Sequence, residues 1–216
     1  IGTASKALNG RGQLRPATRE RVLAEAARLE FRPNELVRSL LRGRTFTVGV
    51  LTTDHVGRFS GPVTAGIEDA LSEAEILVFV CTVRDDPDRE RKAIDGLLAK
   101  QVDGIIVTGR RVDPRSPINL GRSHTPVVYA YTQTADPTTL CVVPDETQGS
   151  ALVTEHLLRA GRRSFAHITG PEHFLAVDLR LDGMRASLAT HGLSLPPDHV
   201  LCGPWSERWG AEAIVR

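Results

Sequence analysis

The chain has 216 residues, of which 41% are hydrophobic and 25% are charged, a composition that indicates one large or two modest globular domains and excludes disordered and fibrous classes. The formal net charge of +1 hides an uneven distribution, because residues 1–45 hold ten basic and four acidic residues whereas residues 46–216 hold 17 basic and 22 acidic residues. A basic head of +6 on an acidic body of −5 predicts a polyanionic partner for the head alone.

The basic head begins with two predicted helices. Residues 1–9 form a small amphipathic helix that ends before Gly10, and residues 16–30 form a longer helix with an apolar stripe. Two such helices cover little core, so a further helix is expected before Ile1. Since the chain also lacks an initiator methionine, we expect it to be a fragment at its N-terminus. On charge alone, the same helices also fit a surface hairpin with a solvated face.

Residues 33–45 predict a short helix that connects two different kinds of domain. Pro33 suits the first helical position and Gly43 suits a stop. Four apolar residues lie at helical spacing among arginines: Leu36, Val37, Leu40 and Leu41. A helix of two to three turns is marginal in water by itself, so this segment is expected to fold only when a partner holds it.

From residue 46 onward, strand-like apolar runs alternate with amphipathic helices. The predicted strands are residues 46–51, 76–83, 102–108, 126–131, 140–143, 164–168 and 199–202. The predicted helices are residues 62–74, 87–99, 146–160 and 174–191, with a last one starting near residue 206. This alternation predicts an α/β fold with doubly wound parallel sheets.

In an open parallel sheet, ligands bind beyond the carboxyl ends of the strands. The segments that follow the predicted strands collect Asp54, Phe59, Arg180 and Trp205. This mixture of hydrogen-bonding groups and flat apolar faces suits a polyhydroxylated or heterocyclic small molecule.

Each of these residues also has a purely structural interpretation. Arg180 is equally suited to pair with Asp178 or Asp182 on its own helix. Trp205 is also suited to interdomain packing, and Phe59 to the core. The sequence alone leaves these alternatives open.

Two further features favour structural roles. The acidic run from Asp85 to Asp88 resembles a metal or acid cluster, but Asp-Pro-Asp at a helix start favours capping and compensation of the helix dipole. His156 shares a face with Leu152, Val153 and Leu157, which predicts a core histidine.

Signatures of enzymes are missing from the sequence. It contains no phosphate loop, no dinucleotide glycine fingerprint, no nucleophile elbow and no pair of His or Cys at metal-ligand spacing on a helix. We therefore predict no enzymatic activity, no metal and no cofactor.

The order of motifs in the head resembles the lac-repressor (LacI/GalR) family of bacterial transcription regulators. The resemblance rests on three segments in succession: GTASKALNG, LRPATRERVLAEAARLEFRPN and the leucine-bearing helix. It continues through residues 46–216. It implies a partial helix-turn-helix headpiece in residues 1–32 and a hinge helix in 33–45. It further implies a type I periplasmic-binding-protein-like effector domain, with an N-terminal lobe in 46–161 and a partial C-terminal lobe in 162–216.

The resemblance also implies which residues contact DNA. Bases would be faced by Ile1, Gly2 and Lys6, and the DNA backbone would be held by Thr3, Ser5 and Asn9. In the family, paired hinge helices wedge a leucine into the minor groove; the matching residue is Leu40, with Asn34, Val37 and Ser39 beside it. The alternative for Leu40 is ordinary core packing.

For the effector site, the resemblance points to three positions. Arg180 in DLRLDG matches an arginine that contacts effector, and Trp205 in PWS matches an aromatic that packs on it. Asp145 matches the aspartate of an Asp-Asn motif, in which Glu146 here replaces the asparagine. We expect a sugar effector, with a purine or amide as the alternative.

The function that the resemblance implies is a ligand-responsive repressor that binds a palindromic operator as a dimer. The main alternative is a solute-binding protein serving a transporter, against which the basic head argues. A sugar-processing enzyme and a truncated product that regulates nothing are further alternatives.

Cysteine usage indicates the compartment. Cys81, Cys141 and Cys202 are odd in number, far apart and set in apolar runs, which favours thiols in a reducing cytoplasm. No apolar run approaches the roughly 18 residues of a membrane span.

Overall fold

The computed structural model describes residues 2–8, 12–31, 43–53 and 57–215. The chain divides into two compact units, Ile1–Phe46 and Thr47–Arg216. Of the predicted hinge helix, only residues 43–45 fall within the described ranges.

The first unit contains the two predicted helices, α1 (Gly2–Leu8) and α2 (Pro16–Arg28). They pack together, and Ala7 of α1 is buried. Pro16 occupies the start of α2, where its missing N–H costs nothing. No described residue of α2 is fully buried, although Val22 and Ala26 are half-buried, so the described part of this unit covers the apolar stripe of α2 only in part.

A left-handed residue ends α2. The N–H of Phe31 donates to the carbonyl of Ala26 at 2.8 Å, and the N–H of Glu30 donates to the carbonyl of Ala27 at 3.0 Å. This bonding pattern places Glu30 at φ +48°, a conformation that glycine usually supplies.

The second unit is an α/β structure, as predicted. Its strands are β1 (Thr47–Thr52), β2 (Leu77–Thr82), β3 (Gly104–Thr108), β4 (Pro114–Arg115), β5 (Val127–Ala130), β6 (Gln133–Thr134), β7 (Leu140–Val142), β8 (His167–Thr169) and β9 (Val200–Cys202). Its helices are α3 (Ser60–Glu73), α4 (Pro87–Ala99), α5 (Glu146–Arg159), α6 (Leu175–Thr190) and α7 (Glu207–Ala213), with a 3-10 turn at Pro197–His199. The predicted strands and helices are confirmed to within a few residues, whereas the short strands β4 and β6 were not predicted.

The strands form one larger and two small sheets. The five-stranded sheet has the order β2-β1-β3-β5-β7, and every neighbouring pair in it is parallel. The pairs β4-β6 and β8-β9 are also parallel. This arrangement confirms the doubly wound parallel fold and places the carboxyl ends of the five strands at one edge.

Two apolar clusters stabilise this unit. Leu51, Ile105 and Val107 of the larger sheet pack with Ile94 and Leu97 of α4. The second cluster joins α5 and α6 to the segment around Leu195. No helix in the described part of the chain is long and apolar enough to cross a membrane.

The interpretation of the acidic run as a cap agrees with the structure. Asp86 precedes α4, and its carboxylate accepts from the N–H groups of Asp88 and Arg89 at 2.9 and 3.1 Å. Such a cap satisfies donors at the helix start that have no intrahelical partner.

The prediction of a core histidine on α5 is wrong. His156 is exposed, as are Leu152 and Val153, at 60% and 61%. The helix instead buries Thr154 and Leu158. Its orientation follows from contact with α6, which the periodicity of α5 alone does not reveal.

Helices α5 and α6 lie close together where Gly183 faces the backbone of α5. A Cβ atom on Gly183 would lie 2.1 Å from the carbonyl oxygen of Thr147. Real atoms do not approach so closely, and a backbone oxygen cannot rotate away. The absence of a side chain at Gly183 therefore sets the separation of the two helices.

We predict that Gly183→Ala lowers the free energy of unfolding by about 1–3 kcal/mol, because the helices must separate to admit the methyl group. Urea denaturation followed by circular dichroism measures this change. Gly149→Ala is the matched control, since a Cβ at Gly149 meets no atom within 4 Å. That control should be neutral or stabilise the protein by up to about 1 kcal/mol. Equal effects of the two substitutions would contradict the close approach.

Candidate ligand-binding site

A cavity of about 340 Å³ opens at the carboxyl edge of the larger sheet. Its walls include Thr53 after β1, Val83 after β2, Thr108 at the end of β3 and Thr132 after β5. Thr108 is 2% exposed, and its hydroxyl has no hydrogen-bond partner among the described residues. Because buried polar atoms are normally satisfied, this hydroxyl suits a polar ligand or a water.

The charged groups of this cavity are paired with one another. Arg115 donates to both carboxylate oxygens of Glu90 at 2.8 Å, and Arg110 pairs with Asp85. Pairing of this kind leaves the cavity wall close to electrically balanced.

A stacked aromatic pair connects the start of α3 with the end of β5. The rings of Phe59 and Tyr131 lie 4.9 Å apart at an interplanar angle of 22°. The N–H of Tyr131 donates to the carbonyl of Val142 at 2.9 Å, and its φ is +57°. A non-glycine residue in this left-handed conformation costs about 1–3 kcal/mol, which the surrounding contacts must offset.

The Tyr131 hydroxyl remains protonated near neutral pH. Burial raises its pKa, and the nearby carboxylate of Glu146 raises it further, against the opposing charges of Arg180 and Arg58. Tyr131 therefore offers a hydroxyl and a flat ring rather than a charge.

The predicted effector arginine has a partner that was not predicted. The Nε of Arg180 donates to Glu146 at 2.6 Å, whereas the sequence suggested Asp178 or Asp182. The exposed fraction is 10% for the Glu146 side chain and 32% for that of Arg180. The hydrogen bond to Glu146 raises the pKa of Arg180, so the guanidinium stays charged.

Trp205 lies beside this ion pair. The Arg180 guanidinium carbon is 5.6 Å from the centre of the Trp205 ring, within cation–π range. The indole also lies against Gly170, where a Cβ atom would be 2.2 Å from the ring. Trp205 is 56% exposed and lines a second cavity of about 500 Å³ together with Arg58, Thr169 and Glu207.

The other two predicted effector residues are Asp145 and Asp54. Asp145 is exposed at the start of α5, where its carboxylate accepts from the N–H of Gln148 at 2.8 Å. Asp54 lies outside the described residues. The structure therefore places Phe59, Arg180 and Trp205 among aromatic and charged neighbours, and gives Asp145 a capping contact.

Four of the ten predicted DNA-contacting residues lie in the described part of the chain. Gly2, Thr3, Ser5 and Lys6 are exposed on α1, and the stem of Lys6 runs close to Gly12. Six others fall outside the described ranges: Ile1, Asn9, Asn34, Val37, Ser39 and Leu40.

One cap in the second unit was missed by the sequence analysis. Asp113, in the loop after β3, accepts from the N–H of Leu175 at 3.1 Å and so caps α6. Arg111 lies beside this contact, because its Nε is 3.4 Å from the Asp113 carboxylate and its guanidinium carbon is 4.6 Å from the centre of the Phe174 ring. Sixty-two positions separate Asp113 from Leu175, so no local sequence signal predicts the contact.

Comparison with known proteins adds a family match. The model for periplasmic binding proteins and the sugar-binding domain of the LacI family matches residues 45–216. Catabolite control protein A of Staphylococcus epidermidis is 31% identical over 214 residues, which is 99% of this chain and 65% of that relative. The protein of the same name from Priestia megaterium is 28% identical over 217 residues, 100% of this chain and 65% of that one. The chain thus spans about two thirds of the length of these relatives.

Solved structures give the same fold. The lac repressor dimer bound to operator and the anti-inducer ONPF has a TM-score of 0.74 at 24% identity, over 98% of this chain and 64% of that one. The transcriptional regulator CelR in complex with cellobiose has a TM-score of 0.62 at 26% identity, over 99% of this chain and 65% of that one. These similarities confirm the predicted periplasmic-binding-protein-like fold.

We predict that Asp113→Ala lowers the free energy of unfolding by about 1 kcal/mol, because the cap of α6 is lost. Thermal unfolding measures the change. Asp113→Asn is the control, since an amide oxygen still accepts from the N–H of Leu175. If both substitutions destabilise the protein equally, the charge pairing with Arg111, rather than the cap, is the source of the stability.

Proposed function

Because the chain belongs to the LacI family, we propose that it is a ligand-responsive transcriptional regulator, a repressor, with a sugar as its effector. In this proposal, residues 1–32 are part of a helix-turn-helix headpiece and residues 33–45 form the hinge helix. Residues 46–161 and 162–216 belong to two lobes that hold the effector between them. Such a regulator works in the cytoplasm without catalysing a reaction.

The main support for the effector part of the proposal is the contact between Arg180 and Trp205 beside the Phe59–Tyr131 stack. Saccharides present hydroxyl groups at their rims and apolar C–H faces on their rings. A guanidinium donates hydrogen bonds to the hydroxyl groups, and an exposed indole packs on the C–H face of the ring. Asp54 and Asp145 are proposed as further hydrogen-bonding groups.

The DNA part of the proposal rests on charge and exposure. The head carries +6, and Gly2, Thr3, Ser5 and Lys6 form an exposed, mostly polar face of α1. Lysine neutralises phosphate charge, while small and hydroxyl-bearing side chains allow close approach to a DNA groove. In this proposal, the bases and backbone of the DNA are also contacted by Ile1 and Asn9. The minor groove is contacted by Asn34, Val37, Ser39 and Leu40.

A homodimer follows from the palindromic operator that we propose as the target. Its support within this chain is an apolar edge. Leu77 and Phe79 alternate along edge strand β2 and are 68% and 43% exposed. Apolar residues on an open edge suit coverage by a second copy.

The rival function is a solute-binding protein without a DNA role. Both functions predict sugar binding, so operator binding discriminates between them. An enzyme on the same fold is distinguished by turnover of the bound sugar.

We predict that a neutral saccharide raises the melting temperature of the protein, since a ligand that binds only the folded state stabilises it. A thermal-shift screen of mono- and disaccharides, with purine bases in parallel, measures this effect. Trp205→Ala should weaken binding of the active saccharide by about tenfold. Leu152→Ala, an exposed apolar residue elsewhere, is the control and should leave the affinity unchanged. A response to a purine but to no saccharide would overturn the sugar assignment.

We also predict that Leu40→Ala weakens specific operator binding by about tenfold or more, because the wedge that bends the duplex is lost. Non-specific binding depends on phosphate contacts and should change little. Fluorescence anisotropy with operator and random duplexes measures both, and Leu41→Ala is the neighbouring control. An equal loss on both duplexes would remove the wedge role from Leu40.

A further inference from the structure

The Glu146–Arg180 ion pair lies beside Trp205 and near Tyr131 in the proposed effector site. The pair joins α5 to α6 through the 2.6 Å hydrogen bond from Nε. The Glu146 carboxylate is nearly enclosed, with 10% of its side chain exposed. A guanidinium with a carboxylate already in contact presents a much weaker positive potential than a free one.

Arg180 nevertheless retains donors. Its terminal amino groups make no hydrogen bond to any other residue in the described part of the chain. They remain available for hydroxyl groups, which accept hydrogen bonds without requiring a counter-charge.

The groups around the pair add no excess of positive charge. The walls of the cavity that Trp205 lines include one cation, Arg58, and one anion, Glu207. The carboxylate of Asp145 is exposed one position before Glu146. A negatively charged ligand entering here would face the carboxylates of Asp145, Glu146 and Glu207 against the two cations Arg58 and Arg180, so the charges of these groups do not favour it.

We propose that Glu146 determines the charge specificity of this site: by neutralising Arg180, it excludes sugar phosphates and sugar acids and admits uncharged saccharides. This inference rests on the proposed function, since it concerns the ligand of the same cleft. An uncharged ligand leaves the ion pair intact. An anionic ligand must either displace Glu146 from Arg180 or bind beside it, and like charges in a partly desolvated site repel strongly.

The test replaces Glu146 with glutamine, which keeps the shape and an oxygen that accepts from Nε but removes the charge. Isothermal titration calorimetry on the wild type and on Glu146→Gln would use inorganic phosphate and glucose 6-phosphate as anionic probes. Glucose and cellobiose are the neutral probes. We expect the anionic probes to bind the variant about tenfold more tightly or better, and the affinity for neutral probes to change by less than about threefold.

Two further variants identify the cause of any gain. Glu155→Gln changes the net charge equally, but its carboxylate accepts from Ser187 at 2.7 Å and does not touch Arg180. It should leave anion binding unchanged. Arg180→Gln added to Glu146→Gln should abolish the gain, because the guanidinium that loses its carboxylate partner in Glu146→Gln is then absent. Glu146→Asn provides the same comparison should the glutamine variant fail to fold.

Anion affinity that is equal in the wild type and the glutamine variant overturns the inference, as does tight anion binding by the wild type. Failure of the proposed function gives a different result. In that case no neutral saccharide binds the wild type, whereas a gain of phosphate binding in the variant still supports the role of Glu146.

Discussion

Parallel strand pairing is the constraint on which the rest of the second unit depends. Parallel neighbours cannot be joined by tight turns, so each connection must cross the sheet and return in the same direction. All five strands of the larger sheet consequently end at one edge. The loops at that edge carry Phe59, Arg111 and Tyr131, which are far apart in sequence. The site thus results from the direction of the strands, whereas its chemistry results from the residues that follow them.

Much of this architecture is readable from the sequence, because alternating apolar runs and amphipathic helices have strong local signals. Helix α4 even has the predicted bounds, since Asp86 and Pro87 mark its start. Orientation between helices has no such local signal. The inward face of α5 carries Leu158, which packs with Met184 and Leu188 of α6, and so the apolar pattern around His156 led to a wrong prediction. The partner of Arg180 was missed for the same reason: Asp178 and Asp182 are near in sequence, while Glu146 is near only in the fold.

Ion pairs in this protein serve different ends according to their burial. Arg208–Glu212 and Arg91–Asp95 are exposed pairs along single helices, and such pairs contribute about 0–1 kcal/mol to stability. Glu146–Arg180 is more enclosed and joins two helices. Partial burial strengthens the attraction but also removes water from both charges, so net stability is a poor explanation of the pair. Its position beside Tyr131 and Trp205 supports the proposed control over ligand charge.

The close approach at Gly183 has a consequence for how this site evolves. Thr147, whose carbonyl oxygen faces Gly183, follows Glu146 in the chain, and Gly183 lies one helical turn after Arg180. The spacing of the helix backbones and the geometry of the ion pair are therefore coupled, and substitutions at the two places should not be additive. A lineage could alter ligand preference through a residue that never touches ligand. Conversely, a change at Glu146 would have effects that depend on whether position 183 is still glycine.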